Sequence, residues 1–280
     1  MADDPELKSS TDRVGIDLDK HYSTTLADFT DAVEEAITSS LRVFGLKAEP
    51  QEYWRSILFT RLCTTSVTIL SLCPRSKLNQ NEKLWDCSSV AALTRNLYEC
   101  AVYFFYIGIE ILSSDEWEAR LKVMQLHDCM ERFRMFQVFD PSDPQLAGFE
   151  AQADQLRGVL ASNAYFTQLP EKLKRDLLRG KRASILTRDE ILTRMGQFDP
   201  KANGFYRFRS SHVHSFPLAF YRMEENNVGL GVVSDSEKGN TAASTEFCTG
   251  ILRVSTEEYK KAFAGKASFS GVRVDLSGLK

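Results

Sequence analysis

The feature that most constrains this chain is the stretch Cys87–Ile109, 23 residues that hold only two charged side chains, Arg95 and Glu99. A run of that length could cross a bilayer as a helix. Each charge near the middle of such a span would cost roughly 2.5–3.5 kcal/mol on insertion scales, and Ser88, Ser89, Thr94 and Asn96 add further polarity. The stretch therefore predicts the central helix of a soluble bundle, and no membrane partner is expected. Arg95 and Glu99 stand four residues apart and project from one helical face. Inside an apolar helix such charges need partners, because a stranded buried charge is costly. Two readings stay open. One is a structural ion pair that ties down a neighbouring helix; the other is a polar cavity used for binding or acid–base work. As half of a buried pair, Glu99 is expected to cost about 2–4 kcal/mol when truncated to alanine.

Helical periodicity extends along most of the sequence. Leu26, Phe29, Val33, Ile37, Leu41 and Phe44 recur at three- and four-residue steps and predict an amphipathic helix over 25–44. A second helix is expected over 52–72, ended by Pro74, and a long apolar one over 84–112. Asp115 is a candidate N-cap for the next, which runs to about Phe139. Asp140–Pro141–Ser142–Asp143–Pro144 reads as a turn. Shorter helices follow at 145–162, 170–179 and 188–196, and another crosses the Arg/His cluster until Pro217 interrupts it or starts a new one. Residues 226–244 hold Gly229, Gly231 and Gly239 among valines and read as a loop or a short hairpin. A last helix is expected over 241–263, then an irregular or short-strand tail. The fold class is all-α, an up-and-down helical bundle with accessory helices. The domain reading is a polar segment 1–24, a bundle 25–225, and 226–280 packed on it.

The formal net charge of −3 does not make the whole molecule a magnet for nucleic acid, but the charge is uneven. Residues 1–40 hold ten Asp/Glu against three Lys/Arg, and 171–209 hold eleven Lys/Arg against five Asp/Glu. The basic segment 171–209 is a candidate RNA-binding face, although solvated helix faces or internal compensation would give the same count. The six cysteines form no Cys-x-x-Cys pair and sit beside apolar residues, so they read as small buried hydrophobes in a reducing cytoplasm. The N-terminal MADDPELKSS lacks the apolar core of a secretory signal. Gly-x-Gly-x-x-Gly, P-loop, Gly-x-Ser-x-Gly and His-Glu-x-x-His patterns are absent, and no cofactor is expected. His127, Asp128 and Glu131, with Glu99 and His212 or His214, could be assembled into a carboxylate–histidine centre. No Glu-x-x-His pair supports it, and the expectation is no metal.

The chemistry-bearing stretch is Tyr206–Arg207–Phe208–Arg209–Ser210–Ser211–His212–Val213–His214, with two of the four histidines. On a helix, Arg207, Ser210, Ser211 and His214 share one stripe bordered by Tyr206, while His212 projects elsewhere, close to Phe208 and Arg209. Histidine is the side chain whose ordinary range brackets neutrality, and arginine grips phosphate. Such a set can cleave RNA without a metal. Histidine takes the 2′-hydroxyl proton or protonates the leaving 5′-oxygen, arginine steadies the charge on the phosphorane, and serine or tyrosine orients the phosphate. His214 as a helix C-terminal residue, favoured by the helix dipole, is the structural alternative.

Two patterns carry resemblances. Arg95-x-x-x-Glu99 followed by Tyr206-x-x-x-Ser210-x-x-x-His214 resembles an uncharacterised family of bacterial helical proteins, over roughly residues 50–220. Arg209-Ser210-x-x-x-His214, and less closely Arg207-x6-His214 with Phe208 after the arginine, resembles the HEPN superfamily. That resemblance implies a helical bundle, often dimeric, and a metal-independent endoribonuclease of the toxin or phage-defence kind, with His214, Arg209, Arg207, Ser210 and Tyr206 at the catalytic site. The competing expectation is a non-catalytic module that binds a protein or small ligand in a polar cavity around Arg95, Glu99, Tyr206, His212 and His214.

Overall fold

The computed structural model describes residues 17–196, 200–221, 223 and 227–278. Among these residues there are eleven α-helices, one π-helical turn and one 3-10 turn, with no strand beyond an isolated bridge between Ser76 and Asn79. The fold is all-α, as the periodicity predicts. The described residues cluster into two compact units. One draws on the described residues of 17–48, 56–101 and 200–278, the other on those of 49–55 and 102–196.

In the first unit, helix α1 (Leu18–Val43) starts seven residues before its apolar stripe suggests, because Asp17 caps it by accepting from the Lys20 N–H. Tyr22, Phe29 and Val33 are fully buried, whereas Leu41 and Phe44, read from sequence as part of the stripe, are exposed. Helix α2 (Pro50–Leu72), whose residues through Arg55 belong to the second unit, begins on a proline, whose missing N–H is no loss in the first turn. Helix α3 (Cys87–Tyr103) is shorter than the expected 84–112. Asp86 accepts from the Ser89 N–H, and Glu237, fully buried, accepts from the Cys87 N–H at 2.8 Å and the Gly229 N–H at 2.6 Å. A carboxylate from a distant helix thus satisfies the start of α3.

The second unit holds the π-turn Phe104–Ile109 that continues from α3, closed by the Glu110 N–H bonding to the Phe105 carbonyl. Gly108 permits it: a Cβ there would lie 3.2 Å from the Arg55 Cα, and Arg55 Nε donates to the Gly108 carbonyl at 2.7 Å. Helix α4 (Ser114–Phe139) is capped by Ser113 rather than Asp115. It packs on α5 (Gln145–Ser162), α6 (Ala164–Thr167) and α7 (Glu171–Leu178) through Val123, Leu126, Leu156, Leu160, Phe166 and Leu177, and α8 (Arg188–Arg194) follows. Arg120 is fully buried. It donates to the Tyr106 carbonyl and to Glu110 and Glu116, and Arg194 grips the same two carboxylates.

The first unit resumes with α9 (Pro200–Val213), α10 (Pro217–Phe220) and α11 (Asp235–Phe263). Pro217 opens α10, one of the two outcomes expected of it. No hairpin forms among the described residues of 226–244: Ser234 caps α11, which begins six residues before the expected start, and Gly229 and Gly231 turn the chain with positive φ. Helix α11 lies against α1. The tail holds no strand among its described residues. It is pinned to α1 through the Val274 N–H on Thr38 and the Leu276 N–H on Glu34.

Candidate functional site

Helices α3 and α9 bring together four of the sequence-predicted residues. Arg95 Nη2 donates to Glu99 Oε1 at 2.9 Å and to Tyr206 Oη at 3.1 Å, and Tyr206 Oη donates to the same Glu99 oxygen at 2.8 Å. Arg95 Nη1 lies 3.3 Å from His214 Nε2. The guanidinium also sits 5.1 Å from the centre of the Tyr206 ring, within cation–π range. The Arg95 side chain is 15% exposed and Glu99 40%. The pair is therefore not the dry, isolated one the apolar run suggests. Glu99 keeps a wet flank, so the 2–4 kcal/mol expected from a fully buried pair falls to about 1 kcal/mol.

His214 owes its position to the end of α9. The Phe216 N–H bonds to the Ser211 carbonyl at 2.9 Å, the Ser215 N–H reaches the His212 carbonyl, and Ser215 has φ +48°. This is a Schellman-type ending with His214 at the C-cap and a serine where glycine is usual. The ring of Phe216 lies 5.3 Å from that of His214.

The other residues of the cluster stand apart from this network. Arg207 is exposed, and its carbonyl accepts from the Ser211 hydroxyl. Ser210 is half-buried with a hydroxyl that has no partner. His212 packs edge-on against Phe208, at 4.7 Å between ring centres, and neither ring nitrogen has a partner. Burial holds its pKa below the ordinary 6.5, with Asp86 and Glu237 pulling upward and Arg209 pushing down. Arg209 is 3% exposed, its guanidinium 4.4 Å from the Phe247 ring centre and 5.3 Å from that of Phe205. Burial lowers its pKa as well. Phe247 and Glu237 escape a sequence reading because no short spacing links α11 to α9 or α3.

In the second unit His127 Nδ1 bonds to the Gly180 carbonyl, while Asp128 and Glu131 pair with Arg132 and Arg134. Among the described residues no three His, Cys, Asp or Glu side chains gather as a metal would require. Within the basic segment Lys174, Arg188 and Arg194 are paired to acids, whereas Lys172, Arg175, Arg179 and Lys181 are exposed. No helix among the described residues is long and apolar enough to cross a membrane. All six cysteines are free thiols, and burial raises those of Cys63 and Cys100 to about 12.

A family model matches residues 52–229. The chain belongs to DUF5677, a family of unknown function. The DUF5677 match takes in Arg95, Glu99, Tyr206 and His214, and its extent agrees with the 50–220 over which the sequence resembles an uncharacterised helical family. No match is found among curated proteins or among solved structures.

Proposed function

We propose that Arg95, Glu99, Tyr206 and His214 form the centre of a metal-independent endoribonuclease, HEPN-like in its chemistry. The observation that carries this reading is the 3.3 Å approach of Arg95 Nη1 to His214 Nε2. It sets a phosphate-binding cation beside a side chain able to move a proton. A neutral His214 ring with its proton on Nδ1 offers a lone pair at Nε2 beside the guanidinium, which carries donors only. That is the form which takes a proton from an RNA 2′-hydroxyl.

The 2′-oxygen then attacks phosphorus, the P–O5′ bond breaks, and a 2′,3′-cyclic phosphate and a 5′-hydroxyl remain. Arg95 stabilises the charge on the phosphorane oxygens. In this reading Tyr206, whose hydroxyl donates to Glu99, gives the 5′-oxygen its proton. Solvent restores that proton to Tyr206 and takes the other from His214. Arg207, exposed on α9, is a further phosphate contact. A role as a bacterial toxin or phage-defence effector in the cytoplasm follows from the HEPN resemblance.

The test is RNA cleavage by point variants. Arg95→Met should lower the rate about 10²–10³-fold, as loss of one charge-stabilising donor does. His214→Ala should lower it about 10²–10⁴-fold. Unchanged cleavage in both variants would reject this site.

A further inference from the structure

Helices α9 and α11 enclose a second feature that the ribonuclease reading does not use. Gly204, Phe205, Phe208, Arg209, Asn240 and Ala243 line a pocket of about 610 Å³, a volume suited to a small organic ligand. Its walls are mostly carbon, and its charged member is Arg209. Arg209 as a whole is 3% exposed, yet Nε and Nη1 have no acceptor and Nη2 reaches only the Ala243 carbonyl at 3.4 Å. Among the described residues no carboxylate pairs with it. Besides that one long carbonyl contact, the Phe247 and Phe205 rings compensate it by cation–π attraction. A buried cation held by two phenyl rings lacks the counter-charge that such groups ordinarily carry.

Gly204 adds an independent sign. It lies within α9, where glycine is unfavourable relative to alanine, and a Cβ there would meet nothing within 4 Å. Packing against neighbours does not require glycine at this position, and its absent side chain leaves that wall of the pocket open.

We propose that this pocket binds a small monocarboxylate with an aryl or short alkyl body, whose carboxylate supplies the counter-charge missing from Arg209. A single guanidinium matches a single negative charge, the phenyl walls match an apolar body, and Asn240 offers an amide at the lining. No second cation lines the pocket among the described residues, which favours a carboxylate over a phosphate dianion. The inference stands independently of RNA cleavage.

The experiment titrates the full chain with 1-naphthoate, with octanoate, and with the neutral 1-naphthalenemethanol, by calorimetry. Saturable one-to-one binding of either acid, with naphthoate at least tenfold tighter than the neutral alcohol, is the expected result. Arg209→Met should remove that preference while leaving the denaturation midpoint equal or higher, because an unpaired buried charge is gone. Gly204→Leu fills the opening without touching the arginine and should weaken both acids at least tenfold in a folded protein. Failure of both acids to bind, equal binding of the alcohol, or full naphthoate binding by folded Arg209→Met or by Gly204→Leu would overturn the proposal.

Discussion

Arg95 and His214 lie 119 positions apart in the chain, and their side chains meet at 3.3 Å. The contact depends on two separate devices. Glu99 and Tyr206 hold the guanidinium on the α3 side, and the left-handed Ser215 ends α9 one residue after His214. Disturbing either device should move the pair apart, and the consequences can be separated.

Tyr206→Phe removes one donor and one acceptor from the α3–α9 network while keeping the ring. The expected loss is about 1 kcal/mol in urea unfolding, typical of one hydrogen bond to charged groups in a half-wet setting. Glu99→Gln should cost a similar amount. The double variant should show a coupling of about 0.5–1 kcal/mol; strict additivity would mean that the two side chains do not share a bond in solution.

Ser215 occupies a conformation that costs an L-residue roughly 1–2 kcal/mol. Ser215→Gly should therefore raise stability by about 0.5–1 kcal/mol, net of the backbone entropy that glycine adds. A lower denaturation midpoint in this variant would show that the turn is not the one described.

Gly180, with φ +63°, tests the second unit. A Cβ there would stand 2.6 Å from the Met130 Cγ. Strain from the left-handed backbone and overpacking act together, and Gly180→Ala should destabilise by about 2–4 kcal/mol. A change below about 0.5 kcal/mol would contradict the close approach of α4 to the end of α7.

His212 should make stability depend on pH. Its folded pKa lies below the ordinary 6.5 because burial disfavours the charged ring. The unfolded chain then binds the proton more readily, so stability falls as pH drops below about 6.5 and continues to fall until the folded ring itself titrates. Urea midpoints at pH 7.5 and 5.5 should differ more in the wild type than in His212→Gln. Equal differences would place His212 in solvent.

Much of this was legible from residues alone. The apolar periodicity of 25–44 and the low charge of 87–109 specify helices because each must bury a face. Arg95-x-x-x-Glu99 and Tyr206-x-x-x-Ser210-x-x-x-His214 name the four residues of the network. Element ends were less legible. Asp17, Ser113 and Ser234 set helix starts through single hydrogen bonds that leave no periodic trace. The surroundings of Arg209 were hidden for a different reason: its aromatic neighbour Phe247 is 38 positions away, and only tertiary packing brings them together. The Arg-x4-His spacing treats Arg209 as a partner of His214, whereas the folded helix turns its guanidinium into the α11 side.

Cleavage of RNA in the presence of EDTA tests the central claim most directly. Purified protein should cut a labelled single-stranded RNA with EDTA present and leave a 2′,3′-cyclic phosphate. The cut should be blocked by a 2′-deoxy residue at the scissile position and lost in a folded His214→Ala variant. Cleavage that His214→Ala retains in full, or no cleavage of any RNA across a broad set of substrates, would contradict it.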